Sequence, residues 1–258
     1  MKKTYPKRKK REAGHRLIIL SGPSCVGKSP LKHALTKLYP GLMRGLKPLV
    51  LYDDRLPRPG EKDGVDYHFR SRRYIQALRR KKDFLVLEVR GDLMAVDLRQ
   101  LKEDLKECDV FYEGNPFVAG ALSTHPALKA TPKVSVFLSP LSAEELAFFK
   151  SSGEMDMAGL VTDMMRRKLL RRTQRQKGLL ALSDLENIEI RANSAFKEMQ
   201  TAWRFDHVLV NHDGEESDHW QAFYYPVGEA RHTVMAFADI ISGRRPVTEE
   251  HWDKDLLN

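Results

Sequence analysis

Residues 22–29 read Gly22-Pro23-Ser24-Cys25-Val26-Gly27-Lys28-Ser29, two glycines five positions apart followed by Lys-Ser. That spacing suits phosphate binding. The glycines let backbone N–H groups close around phosphate oxygens, Lys28 can bridge the outer phosphates, and Ser29 offers a hydroxyl to Mg²⁺. A Gly-rich turn that binds nothing is the bland alternative, and the flanking sequence argues against it. Residues 16–21 form an apolar run cut off by Gly22-Pro23, the pattern of a buried parallel strand. From Lys28 onward, Leu31, Ala34, Leu35 and Leu38 share one helical face, closed by Pro40 and Gly41. The helix N-terminus would then add unpaired N–H groups and positive potential to the loop. Pro30 is compatible with a first helical turn. Cys25 reads either as a thiol activated by the loop or, more simply, as a small residue filling it.

The elements that must carry this loop follow from periodicity. Strands are expected over 48–52, 84–89, 109–112, 134–138 and 207–210, and helices over 70–80 and 97–106, where Leu98, Leu101 and Leu105 share a face. Strands alternating with helices predict a parallel sheet covered on both faces. Between residues 151 and 178 the composition turns to Met and Arg without a strand signal, which predicts an inserted helical segment. His207 and His212 read as surface or structural, Trp203 and Trp220 as packing at core edges, and residues 214–228 as a loop insertion.

Composition bounds the rest. The chain has 258 residues, of which 41% are hydrophobic and 31% charged, enough to bury a core. No aliphatic run approaches the ~18 residues of a membrane span. Two cysteines, Cys25 and Cys108, make neither a disulfide framework nor a metal-ligand spacing, and no signal peptide is evident, so a reducing cytoplasm is the expected setting. The net charge is +9, yet residues 1–12 carry seven basic residues against one acid, and residues 163–177 do so again, leaving −3 for everything else. The body is slightly acidic. The first block predicts a disordered arm, the second a basic face suited to nucleotide phosphates.

Downstream of the loop comes a second motif, residues 55–69, Arg-Leu-Pro-Arg-Pro-Gly-Glu-Lys-Asp-Gly-Val-Asp-Tyr-His-Phe. Together with GPSCVGKS it resembles the guanylate kinase family, whose corresponding segment reads TTRxPRPGExDGxDYHF. Weaker similarity runs through 133–146, 191–199 and 205–213. The resemblance implies a P-loop NTPase fold, a three-layer α/β/α sandwich with a parallel sheet, an inserted NMP-binding segment and a helical lid. On that pattern residues 14–50, 105–150 and 196–245 form the core, 51–104 the acceptor segment, 151–195 the Arg-rich lid, with a basic arm over 1–13 and a tail over 246–258. It further implies transfer of the γ-phosphoryl group of ATP, with Mg²⁺ on Ser29, to a nucleoside monophosphate. Arg55, Arg58 and Tyr67 would hold the acceptor phosphate, with Asp54 and Glu113 also on the acceptor. Lys28 would act on the transferred group together with lid arginines drawn from Arg167, Arg171, Arg172 and Arg191.

The base-recognition positions depart from the family pattern. Leu51 stands where the family has Ser, Asp53 and Asp54 where it has two Thr, Val86 where it has Glu, and Met94 and Val96 where it has Tyr and Ser. Only Glu113 keeps an acidic residue. Losing hydrogen-bonding partners weakens discrimination against the wrong base, so the acceptor is either GMP or dGMP, as in the family, or another phosphorylated compound. Two rival classes remain: a guanylate-kinase-like interaction module without catalysis, which the intact phosphate loop opposes, and a nucleic-acid-associated P-loop kinase, for which residues 1–12 are the motive.

Overall fold

The computed structural model describes residues 14–58, 60–151 and 156–257; the basic arm expected at the N-terminus lies outside them. The strands are β1 (Leu17–Ser21), β2 (Leu46–Pro48), β3 (Leu51–Asp53), β4 (Tyr67–Phe69), β5 (Phe84–Val89), β6 (Asp92–Asp97), β7 (Asp109–Gly114), β8 (Lys133–Ser139), β9 (His207–Val210) and β10 (Glu249–Glu250). The α-helices are α1 (Lys28–Leu38), α2 (Pro40–Met43), α3 (Arg72–Leu78), α4 (Leu98–Glu107), α5 (Pro116–Thr124), α6 (Ala143–Ser151), α7 (Met157–Lys177), α8 (Leu182–Met199) and α9 (Gly228–Ile241).

β1 sits inside a six-stranded sheet of order β10-β9-β8-β1-β7-β2, parallel except for β10. All five of its residues are buried, which explains a continuous apolar run in place of alternation. Successive side chains point to opposite faces. Leu17 and Ile19 join one core with Val118 and Leu122 of α5 and Ala192, Ala195 and Met199 of α8. Ile18 and Leu20 join the other, with Leu31 and Leu35 of α1 and Val234, Phe237 and Ile241 of α9. Burying each of these Leu, Ile, Val, Phe and Met side chains stabilises the fold by about 1.5–3 kcal/mol. This is the three-layer α/β/α arrangement.

A second sheet, of order β4-β3-β6-β5, forms from residues 51–97. Its β6 divides its side chains between two cores: Leu93 and Ala95 pack with Ile75 and Leu78 of α3, while Met94 and Val96 belong to the main core. Two sequence expectations change here. The strand expected over 48–52 is two strands in different sheets, β2 beside β7 and β3 beside β6. β6 itself was not foreseen. It pairs with β5 through a two-residue turn, Arg90-Gly91, whose φ angles of 57° and 91° are both positive, as a type I′ hairpin turn requires.

α7 and α8, in the stretch expected to act as a lid, pack along one another as a helical arm, tied by Arg166 to Glu189 at 2.6 and 2.9 Å. α8 continues from this arm into the core without a break. After β9, His212 bridges two elements, with Nδ1 2.8 Å from Glu229 at the start of α9 and Nε2 2.9 Å from Glu145 of α6. The bond to Glu229, with that to Glu145, raises the imidazole from 6.5 to about 9, against the opposing effect of burial. A raised folded-state pKa stabilises the fold fully below pH 6.5, and that contribution is lost as pH rises through about 9. The melting-temperature gap between the wild type and His212→Gln is therefore expected to be widest near pH 6 and to shrink toward pH 10. A gap that widened with pH would contradict the assignment.

Candidate active site

The phosphate loop follows β1 at the C-terminal edge of the sheet, where open α/β sheets bind ligands. Gly22 has φ 145°, and a Cβ there would lie 2.4 Å from the carbonyl oxygen of Leu138. Gly27 has φ 102°, and a Cβ would meet Asn211 Nδ2 at 2.4 Å and the indole of Trp220 at 2.9 Å. Only glycine fits at either position. Asn211 Nδ2 donates to the Val26 carbonyl at 2.7 Å and holds the loop from behind. Cys25 is buried, and burial pushes its thiol up to about 12. It is filler, the simpler of the two readings.

Lys28 opens α1, and its Nζ donates to the carbonyls of Gly22 and Pro23 at 2.8 and 2.6 Å. The side chain is 8% exposed, and burial lowers the ammonium to about 8 although Glu215, Glu113 and Glu198 favour its charge. Ser29 Oγ donates to Glu113 Oε1 at 2.9 Å, at the end of β7. A hydroxyl and a carboxylate so close fit Mg²⁺, which prefers one or two protein oxygens supplemented by phosphates and water. Among the described residues no cluster of three or more His, Cys, Asp or Glu could cage a metal. The ion would therefore need nucleotide oxygens to complete its shell.

One cleft of about 490 Å³ joins this loop to the β4-β3-β6-β5 sheet and the α7–α8 arm. Gly22, Ser24, Cys25, Lys28 and Ser29 line it from the phosphate loop with Glu113 beside Ser29, and Arg55, Arg58 and Tyr67 line it from the second motif. Arg55 is the best-held of these. Glu61 accepts from both its outer nitrogens at 2.7 and 2.8 Å, Asp53 lies 3.3 Å from its Nε, and its guanidinium stacks 4.9 Å from the Tyr67 ring centre. Glu61 also accepts the backbone N–H of Arg58 at 2.7 Å and so fixes the turn that spaces the two arginines. Asp53 is 2% exposed, and burial raises its carboxyl to about 6 against the pull of Arg55.

Three expected site residues lie elsewhere. Asp54 does not line the cleft: its carboxylate accepts from the Leu93 N–H at 2.7 Å and from Arg72 at 2.8 Å, and so braces the small sheet. Arg171 is exposed and does not line the cleft either, nor does Arg167. On α7, the residue one step past Arg171 points inward while its neighbour faces solvent. Arg172 and Arg191 reach the cleft, and Arg191 Nε donates to Ser24 Oγ of the phosphate loop at 3.0 Å. Burial first, then the neighbouring Arg172, Arg58 and Arg90, hold the Arg191 guanidinium well below its usual pKa.

Sequence reasoning missed Arg90 and Glu215. Arg90 sits at the tip of the β5–β6 turn and donates to Ser24 Oγ at 2.6 Å, joining the acceptor sheet to the phosphate loop. Glu198 accepts from its Nε at 2.8 Å and from its Nη2. Glu215 comes from the insertion between β9 and α9 and lies on the cleft wall, paired with Arg172 at 2.7 Å. Arg58, Arg90, Arg172 and Arg191 thus converge with Lys28 on one cavity. Such a concentration of cationic forks calls for a ligand carrying several phosphate charges.

Fold and site together define a P-loop NTPase-type α/β protein whose phosphate loop opens into one arginine-lined cleft. A family profile for guanylate kinase matches residues 14–103. The chain is 31% identical over 204 residues to the guanylate kinase of Listeria monocytogenes, covering 76% of this chain and 80% of that one. It is 28% identical over 214 residues to that of Synechococcus sp., covering 82% of each. The crystal structure of guanylate kinase from Anaplasma phagocytophilum aligns with a TM-score of 0.54 at 18% identity, over 90% of this chain and 87% of the other, which supports the fold. The chain belongs to the guanylate kinase family. No helix among the described residues is long and apolar enough to cross a membrane.

Proposed function

We propose that the protein transfers the γ-phosphoryl group of ATP to a nucleoside monophosphate. The observation that carries this reading is the single cleft in which the phosphate loop, the Arg55–Arg58 pair and the lid arginines Arg172 and Arg191 face a common volume. Phosphoryl transfer asks for positioning and charge neutralisation more than covalent help. Loop N–H groups and Lys28 hold the donor phosphates, Arg55 and Arg58 aim the acceptor phosphate, and Arg172 and Arg191 neutralise charge between them. Bound through Ser29 with Glu113 beside it, Mg²⁺ would supply further neutralisation of the donor phosphates. Lid arginines over the cleft also exclude water, which would otherwise compete for the phosphoryl group.

Membership of the family points to GMP or dGMP as the acceptor. A different phosphorylated acceptor is favoured by one observation. Leu51 and Val96 are 2% and 1% exposed in the apolar core, and Met94 lines the cleft, so these family base-binding positions offer no polar partner.

Arg58 provides the sharpest test of the acceptor end, because its side chain is half exposed and carries no packing role comparable to that of Arg55. Arg58→Ala is expected to lower kcat/KM for the acceptor by about 10²-fold through misplacement of the reacting group, with KM for ATP changed far less. Steady-state kinetics with each substrate varied in turn would show this, and an unchanged acceptor kcat/KM would sink the assignment of Arg58.

A further inference from the structure

The stretch between β9 and α9 straps the lid to the phosphate loop. We propose that Glu215 is a positioning residue for phosphoryl transfer, holding Arg172 of the lid against the phosphate loop so that its guanidinium is presented to the donor phosphates. The proposal rests on the reading that the cleft transfers a phosphoryl group.

Glu215 is fixed on both sides. Its backbone N–H donates to the Cys25 carbonyl at 3.1 Å, and its carboxylate accepts from Arg172 Nη1 at 2.7 Å, with both side chains about 13–14% exposed. Arg172 Nε is buried and has no hydrogen-bond partner among the described residues. The pair therefore leaves the arginine with an unused donor in a cleft-lining side chain. The strap repeats the contact along α7: Glu216 accepts from Lys168 at 3.2 Å and Asp218 from Arg175 at 3.0 Å. Residues 168, 172 and 175 are spaced four and three apart and share one helix face. Trp220 anchors the strap, with its indole against Gly27 and its Nε1 donating to the Gly214 carbonyl at 2.6 Å.

The carboxylate has a reason to be there beyond packing. Arg172 lies close enough to Arg58 and Arg191 for the like charges to repel. A long, flexible arginine in that field would turn away, and a buried carboxylate opposite it sets both its place and its direction. Were stability the only demand, apolar side chains of similar volume would serve as well as a buried ion pair.

The test is a double-mutant cycle read as ADP release with ATP and an accepted monophosphate. Glu215→Gln is expected to lower kcat by about 10- to 100-fold with KM for both substrates within about threefold, as loss of aim predicts. Glu215→Asp, which keeps the charge, is expected to recover most of that loss. In an Arg172→Met background, Glu215→Gln should have no further effect, because residues acting through one another are not additive. A kcat for Glu215→Gln within twofold of wild type would overturn the proposal, as would a loss that persisted in full in the Arg172→Met background. A folded wild type that phosphorylated no monophosphate would instead overturn the reading of function on which the proposal rests.

Discussion

Lys28→Ala is expected to lower turnover by at least about 10³-fold while the chain remains folded. On the proposed function the magnitude follows from removing a charge beside the donor phosphates inside a desolvated site, where single donors and cations contribute roughly 10²- to 10⁵-fold. Lys28 donates to two carbonyls of its own loop, at 2.8 and 2.6 Å, and its ammonium is lowered to about 8 by burial. The depressed value adds a second readout. Around pH 8 the side chain is already about half neutral, whereas bound phosphates favour the cation, so binding of a donor nucleotide should take up a proton. Calorimetry near pH 8.5 in buffers of different ionisation enthalpy is expected to show that uptake in the wild type and not in Lys28→Ala. Circular dichroism separates loss of chemistry from loss of fold, and an unchanged kcat would remove Lys28 from the mechanism.

Glu198→Ala is expected to destabilise the fold by about 3–5 kcal/mol, the cost of leaving a buried charge without its partner. Glu198 is fully buried, and one of its oxygens accepts from Arg90, from Asn115 Nδ2 at 2.9 Å and from Ser194 Oγ at 2.7 Å. It thereby joins α8, the β5–β6 turn and the start of α5. Arg90 pays a steric penalty for its left-handed backbone, φ 57°, and the carboxylate is what keeps it there. Urea unfolding would measure the effect. A change below about 1 kcal/mol would mean that the charges find water or other partners when Glu198 is gone.

The phosphate loop was legible because its whole signal lies in eight contiguous residues, with β1 and α1 announcing themselves by an unbroken apolar run and a helical face. Arg55, Arg58 and Tyr67 were legible for a related reason: they sit on one short segment whose residue types match the family's. The places that were misread are those where local pattern and tertiary role separate. Leu49, Val50 and Leu51 run on apolar from Pro48 whether or not the chain changes sheets, so the split between β2 and β3 leaves no mark in that stretch. The β5–β6 turn lacks the Asn-Gly or Asp-Gly that signals a hairpin, since Arg90 is held in its conformation by Ser24 and Glu198, distant residues that periodicity does not connect to it. Glu215 was hidden for the same reason. Nothing in residues 214–228 indicates that a carboxylate there meets a lid arginine more than forty positions earlier. On the lid, seven basic residues within 163–177 carry the right charge, but which of Arg171 and Arg172 faces inward depends on how α7 rolls against α8.

The central claim is tested most directly by ADP release from ATP and Mg²⁺ across a panel of nucleoside monophosphates and sugar phosphates, with Lys28→Ala in parallel. Turnover dependent on a monophosphate acceptor and absent in Lys28→Ala is the expected result, and the acceptor that supports it identifies the substrate. Tight ATP binding with no acceptor-dependent ADP release from any compound in the panel would contradict it.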